Sequence, residues 1–406
     1  MPRRLSFFLL ALSLCVFQIS SAIADDTGDL IEALEYRLKL IERMMADERW
    51  QDKAPLKFDK KYLKEGDRHE NIPKLRNRLS TFMHKNITNT DLFLFGNDLT
   101  QAVKAFQRQY HLRDDGIIGP QTLALINRTL EDEKKQIELN LHRLSGPEWQ
   151  GRPDLRIDVD VARYHLSAYE DGNMVFEMPV VVGSKERQTN IFSTIMTGVR
   201  LNPGWTLPST IKAEDYIPKL RKNPEWVTEK GVLIYASRDK DATPIDPTLV
   251  DWNFLTDNQI KALRFYKMAG DENPLGDYRF LMNNKHDIYL HDTNQKYLFG
   301  RSSRAYSSGC VRVEDPRRIV EFLLAENPDW TAEKLDETLE KGETFDLGAK
   351  RSIPVYFDYK TAWLNDEGEL ILGYDIYGLD EEVHRDMLAK DKNDVITSVE
   401  SLGDEF

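Results

Sequence analysis

The chain has 406 residues, of which 41% are hydrophobic and 10% aromatic; this excludes a disordered polymer and calls for two or three domains rather than one core. Its formal net charge of −13 argues against a general nucleic-acid binder, which carries a basic stripe. Two cysteines exclude a disulfide-stapled scaffold and a Cys-rich zinc or iron–sulfur site. At the N-terminus, Arg3 and Arg4 precede an apolar run from Leu5 to Ile19, and Ala22-Ile23-Ala24 forms an A-x-A site before Asp25 and Asp26. This pattern predicts a secretory signal peptide over residues 1–24. The alternative is an uncleaved anchor, for which the run is short. Leu14 before Cys15 argues against a lipoprotein signal. Cleavage would remove Cys15 and leave Cys310 alone. A lone thiol is an inert buried group, an intermolecular partner or a nucleophile, and the first is the commonest case.

Residues 25–65 begin with a helical stripe, Leu30, Leu34, Leu38, Ile41 and Met45, followed by a Lys-rich connector. Residues 66–130 read as a compact helical unit. Ile72, Leu75, Leu79 and Phe82 mark one helix, and Val103, Phe106 and Tyr110 mark a second within Leu99–Tyr110. The loop HLRDDGIIGPQT turns at Gly116 and Gly119-Pro120, and Pro120 suits the first turn of a helix running from Gln121 to Leu130. The string AVKAFQRQYHLRDDGIIGPQTLALIN resembles the three-helix peptidoglycan-binding-like module of cell-wall enzymes. Most of its marker residues are structural, so the resemblance leaves open whether the module grips the wall or acts as a scaffold. A linker helix is expected over 131–150.

From Leu155 the period changes to two. Leu155, Ile157, Val159 and Val161 share one face, and strands are expected around a turn at Asp171-Gly172. Residues 206–275 lose that alternation and read as a capping insertion. Strand pattern resumes at Gly276–Phe280, and helices are expected over Pro316–Ala325 and Thr331–Leu339. Two late strands within 346–384 flank a turn at Asp366-Glu367-Gly368, and 385–406 is a charged tail.

The chemistry concentrates in DIYLHDTNQKYLFGRSSRAYSSGCVRV, residues 287–313. On a strand, Tyr289 and His291 share one face and Ile288 and Leu290 the other. Nineteen residues after His291, Ser308-Gly309-Cys310 forms a tight turn whose N–H groups suit an oxyanion hole. An unperturbed thiol is mostly protonated at neutral pH, and a nearby imidazole that takes its proton yields a thiolate–imidazolium pair. Arg312 adds positive charge.

This segment resembles the catalytic motif of the YkuD-type L,D-transpeptidases. So do residues 180–211, NPLGDYRF at 273–280, YLHDT at 289–293, SSGCVRV at 307–313, TAWLNDEG at 361–368 and DIYG at 375–378. With the helical module and the cap, the chain resembles the large YcbB-like subgroup over about residues 30–380. The resemblance implies an α+β architecture: a mainly β YkuD-like catalytic domain over 151–345 with a capping insertion, preceded by the three-helix module. It implies Cys310 as nucleophile, His291 as general base, and oxyanion donors from Gly309, Cys310 and Tyr289. Asp292 or a backbone carbonyl would orient the imidazole. Trp205, Tyr289, Asp292, Thr293, Ser308 and Arg312 would bind substrate, with Trp205 and the cap as roof over the donor peptide. Many members carry His-Gly-Cys, where this chain has Ser308, a serine shared by the subgroup. His291 is then the base, with His286 the lesser candidate.

The implied partners are peptidoglycan tetrapeptide stems and carbapenem-type β-lactams, in the periplasm, with no metal, no cofactor and no nucleic acid. Competing chemistries lack their motifs. Ser-x-x-Lys occurs at Ser209–Lys212 and Ser237–Lys240, but without Ser-x-Asn or Lys-Thr-Gly partners. His-Glu-x-x-His and a phosphate-binding loop are absent. An L,D-carboxypeptidase, a lipoprotein-to-peptidoglycan transferase and a non-catalytic wall-binding scaffold remain as alternatives.

Overall fold

The computed structural model describes residues 26–46, 54–82, 86–237, 239, 242–325, 327–365 and 367–387. The expected signal peptide, part of the Lys-rich connector, Asp366 of the late turn and the tail beyond 387 lie outside the described residues. Two compact units form: residues up to Arg152 with Gly172–Met174 and the segment from Lys360, and Pro153–Asp171 with Val175–Tyr359. No described helix is long and apolar enough to cross a membrane.

The first unit contains α1 (Asp26–Met45), α2 (Ile72–Phe82), α3 (Asn97–Gln109), α4 (Pro120–Ile126) and α5 (Leu130–Leu144). The apolar spacing on α2 and α3 buries Ile72, Leu75, Leu79, Leu99, Val103 and Phe106 in one core. Polar residues of the loop motif tie that core together. The Gln107 amide donates to the Ile117 carbonyl (2.9 Å) and to Thr122 Oγ1 (3.2 Å), while its Oε1 accepts the Gly116 N–H (2.9 Å). Gly116 sits at φ +76°, a left-handed turn that favours glycine. These motif residues therefore hold the fold.

The helix expected to continue to Leu130 ends at Ile126, because Thr129 caps α5. Its side chain accepts the Asp132 N–H (3.1 Å), and Asp132 Oδ2 accepts the Thr129 N–H (2.9 Å). Helices α1 and α5 share a core of Leu30, Leu34, Ile41, Ile137 and Leu144. Met45, expected on the same stripe, is 40% exposed at the helix end.

The second unit is built on a mixed sheet of nine strands among the described residues. Its members are β1 (Arg156–Asp160), β2 (His165–Glu170), β3 (Asn173–Gly183), β4 (Phe192–Leu201), β8 (Tyr278–Met282), β9 (Leu290–His291), β10 (Ala305–Ser307), β11 (Val311–Val313) and β12 (Phe345–Asp358). Between β4 and β8 lie β5 (Trp205–Thr206), β6 (Val232–Tyr235) and β7 (Arg264–Lys267). The large sheet runs β10-β3-β11-β9-β8-β4-β12-β1-β2, and β3 also pairs with β2, so it curls back on itself. Alternation buries Ile157, Val159, Val199, Phe280, Leu290, Val311, Val313 and Val355 on the inner face.

The insertion is a small fold in its own right. Strands β5, β7 and β6 form a three-stranded sheet over a core of Leu207, Ile217, Leu220, Val227, Trp252 and Phe265. Residues 346–384, expected as one pair of late strands, divide at Tyr359. Strand β12 enters the large sheet between β4 and β1, whereas β13 (Ala362–Leu364) and β14 (Leu370–Leu372) form a hairpin in the first unit. There Thr361, at the start of the hairpin, is held by the α5 amides. Its carbonyl accepts from Gln136 (2.8 Å), and its N–H donates to Asn140 Oδ1 (2.9 Å).

Candidate active site

The parallel pairing of β9 and β11 brings the two motif segments together. Leu290 lies opposite Val311 and His291 opposite Arg312, and the Val311 N–H donates to the Tyr289 carbonyl at 3.1 Å. Residues directly opposite point to the same side of a sheet. Tyr289, His291, Cys310 and Arg312 therefore share one face, and the Tyr289 and His291 rings lie 5.7 Å apart.

Cys310 sits in the turn between β10 and β11. Gly309 there has φ +112°, a conformation that any side chain would strain. Two hydroxyls pin the turn. Ser307 donates to the Cys310 carbonyl (2.5 Å) and accepts the Gly309 N–H (3.2 Å). Buried Thr189 donates to the Gly309 carbonyl (2.7 Å) and accepts the Gly183 N–H (2.9 Å). The Gly309 N–H, expected in an oxyanion hole, is thus committed inward. Of the expected backbone donors, the N–H of Cys310 is the one that remains.

The half-buried thiol donates to the Asp287 carbonyl at 3.7 Å. Asp287 reaches this position from φ +55°. The Tyr289 hydroxyl and N–H also bond to the sulfur. Burial pushes the Cys310 thiol up, and those bonds, with the charges of Arg279 and Arg312, only partly offset it. Burial likewise raises the Tyr289 phenol, which stays a hydrogen-bond donor.

The His291 Nδ1–H donates to the backbone carbonyl of Asp292. A carbonyl only accepts, so this bond fixes the tautomer and leaves Nε2 as the basic nitrogen. Burial first, then Arg312 and Arg279, lowers the imidazole pKa from 6.5 to about 3. Both shifts favour the neutral thiol and the neutral imidazole over the expected thiolate–imidazolium pair.

The remaining expected site residues separate. Asp292 contributes its carbonyl, while its buried carboxylate turns away to accept the Asp277 N–H (3.0 Å) and pair with Lys296 (2.5 Å). Thr293 is buried, and its hydroxyl accepts the Gln295 N–H at 3.1 Å. Both side chains are engaged in these local bonds. Arg312 donates to Gln295 Oε1 at 2.6 Å. Trp205 packs against the cap's core. The His286 ring lies tilted against Phe192, with centroids 4.9 Å apart, in the turn after β8.

Ser308 has a partner that local sequence does not announce. Arg187 Nη1 donates to Ser308 Oγ (3.0 Å) while its guanidinium grips the Asp215 carboxylate at 2.7 and 2.8 Å and Glu214 Oε2 at 2.8 Å. One arginine so joins the cap helix Lys212–Tyr216 to the catalytic turn. Arg187→Ala is expected to raise amide exchange in both segments together, by roughly tenfold. Exchange that rises in only one would show that they are not coupled.

Residues 154–344 match the family model of the L,D-transpeptidase catalytic domain, and residues 68–126 match that of a "Putative peptidoglycan binding domain". Residues 154–344 are therefore a YkuD-type L,D-transpeptidase catalytic domain, with a peptidoglycan-binding-type helical module ahead of it. A Haemophilus influenzae protein named "Putative L,D-transpeptidase" is 32% identical over 292 residues, covering 71% of this chain and 56% of the relative. The chain thus spans little more than half of that relative's length. An L,D-transpeptidase structure from Xylanimonas cellulosilytica aligns at 15% identity over 75% of this chain and 100% of its own, with a TM-score of 0.23. The catalytic domain of an E. faecium L,D-transpeptidase, acylated by ertapenem, aligns at 12% identity over 51% and 98%, with a TM-score of 0.24.

Proposed function

We propose that this chain is a peptidoglycan L,D-transpeptidase that forms 3–3 cross-links through a cysteinyl thioester. The observation that carries this is the shared face of Tyr289, His291 and Cys310, with His291 Nδ1 tied to a backbone carbonyl. The donor is a tetrapeptide stem. Cys310 Sγ attacks the carbonyl of its third residue, the L-centre of a diamino acid, as His291 Nε2 takes the thiol proton. The Cys310 N–H steadies the oxyanion. The C–N bond to the terminal D-alanine breaks, and His291 returns the proton to that leaving amine. An amine from a second stem then attacks the thioester, gives its proton to His291 and releases the thiol. No step requires a metal or cofactor.

The cap, with Trp205 at its entry strand, covers the donor and restricts water, which favours an amine acceptor over hydrolysis. The N-terminal pattern supports export to the periplasm, and the module at 68–126 supports attachment to the wall. A carbapenem offers a strained lactam carbonyl in place of the peptide and acylates the same sulfur.

Mass spectrometry of purified tetrapeptide fragments incubated with the chain from Asp25 tests this. Dimers lacking one D-alanine are expected. Tripeptides alone would make it a carboxypeptidase, and unchanged tetrapeptide would overturn the assignment.

A further inference from the structure

One row of residues crosses the site face of the sheet. Asp346 on β12 lies opposite Arg200 on β4, Arg200 opposite Arg279 on β8, and Arg279 opposite His291 on β9. His291 in turn lies opposite Arg312 on β11. Three guanidinium groups therefore share the row with one carboxylate. Like charges directly across a strand pair are destabilising unless compensated. Asp346 is taken up by Arg200, gripping its Nε and Nη2 at 2.5 and 2.6 Å.

Arg279 pairs with no carboxylate among the described residues. Its Nε is buried without a hydrogen-bond partner. Its guanidinium carbon lies 4.4 Å from the centre of the Tyr289 ring. Tyr289 is two residues before His291 and bonds to the Cys310 sulfur. The side chain of Arg279 thus leans along the sheet from His291's row toward the nucleophile. It presents a positive charge on the site wall that no carboxylate grips among the described residues.

We propose that Arg279 is the carboxylate-recognising residue of the donor site, holding the terminal carboxylate of the residue that leaves. This rests on the transpeptidase function proposed above and supplies its donor specificity. Adjacent strands are ~4.8 Å apart. A carboxylate one residue beyond the attacked carbonyl is about 3.6 Å further along the chain. The arginine one strand from His291 is therefore within reach of a peptide ending one residue after the attacked bond. A stem with a further residue puts a neutral amide there instead. Arg279 is thus a specificity residue, and its cation–π contact with Tyr289 keeps it in place when no substrate is bound.

The test uses the chain carrying Cys310→Ala, so that nothing reacts, and calorimetric titration with a tetrapeptide stem and with its C-terminal amide. With Arg279 present, the free acid is expected to bind roughly 10- to 100-fold more tightly than the amide, the range of a charge-assisted hydrogen bond. Adding Arg279→Met is expected to weaken the acid by that factor and leave the amide within about twofold. Arg279→Lys is expected to recover part of the discrimination, since it restores charge without the planar fork. Equal weakening of both peptides would mean that Arg279 only shapes the site, and that overturns the proposal. So would discrimination that survives Arg279→Met, or no discrimination with Arg279 in place. Binding of neither peptide, together with no product in the mass-spectrometric assay, would instead bring down the transpeptidase function beneath it.

Discussion

The Cys310→Ala chain is expected to form no thioester, no cross-linked product and no β-lactam adduct. The loss in turnover is expected to be on the order of 10⁴-fold or more, because the residues of a nucleophilic unit act together and removing the nucleophile removes the covalent route. The fold is expected to remain. The turn that carries residue 310 is held by the Ser307 and Thr189 hydroxyls and by the Val311 N–H, none of which involves the sulfur. Intact mass after incubation with tetrapeptide or a carbapenem reads the first point, and thermal melting the second. An adduct on the alanine chain would move the nucleophile elsewhere.

His291→Asn is expected to lower acylation by about 10²- to 10⁴-fold, the usual worth of a general base. Asparagine is chosen because its amide keeps a donor for the Asp292 carbonyl while removing the basic nitrogen. Acylation within about threefold of the parent would exclude His291 as the base. Simple alkylation of the thiol behaves differently. The imidazole is neutral and the thiol pushed up, so the alkylation rate is expected to climb through and beyond the ordinary thiol range. A plateau near neutrality, which a thiolate–imidazolium pair would give, is not expected in either chain.

Stability carries the same signature. The folded chain refuses a proton that unfolded His291 accepts at 6.5 and folded His291 only at about 3. The unfolded state then binds more protons in that window, so this group's contribution falls as pH drops from 6.5 toward 3. The asparagine chain is expected to lose less stability over the same range.

Much of the site is legible in the sequence because it lies in two short segments whose alternation sets their faces. Tyr289, His291, Cys310 and Arg312 follow from parity alone once β9 and β11 pair. Roles set by distant segments are not legible. Thr189 and Arg187 come from the loop after β3, and Arg279 from β8; no local spacing ties them to Cys310. The local partners of Asp292 and Thr293 are not legible either. Both residues adjoin the base in sequence, but their side chains turn back to stabilise the neighbouring loop.

The same limit applies to the fold. The cap's strands span two to four residues, too few for an alternation to show. In β12 the register against β4 shifts between Gly348 and Ile353, which breaks the period in mid-strand. The helical module is the easiest part to read. Its glycines, its Gln107 and its apolar spacing all serve one small core.

The pairing of β9 with β11 also imposes a parity rule on everything between them. A strand turned by one residue sends each side chain to the opposite face. A change of length between Thr293 and Gly309 keeps the site only if Arg312 returns opposite His291. One residue out of step would send Cys310 and Arg312 into the apolar layer and bring Val311 to the imidazole's face. Strand phase is thus what couples the length of this connection to the chemistry of the site.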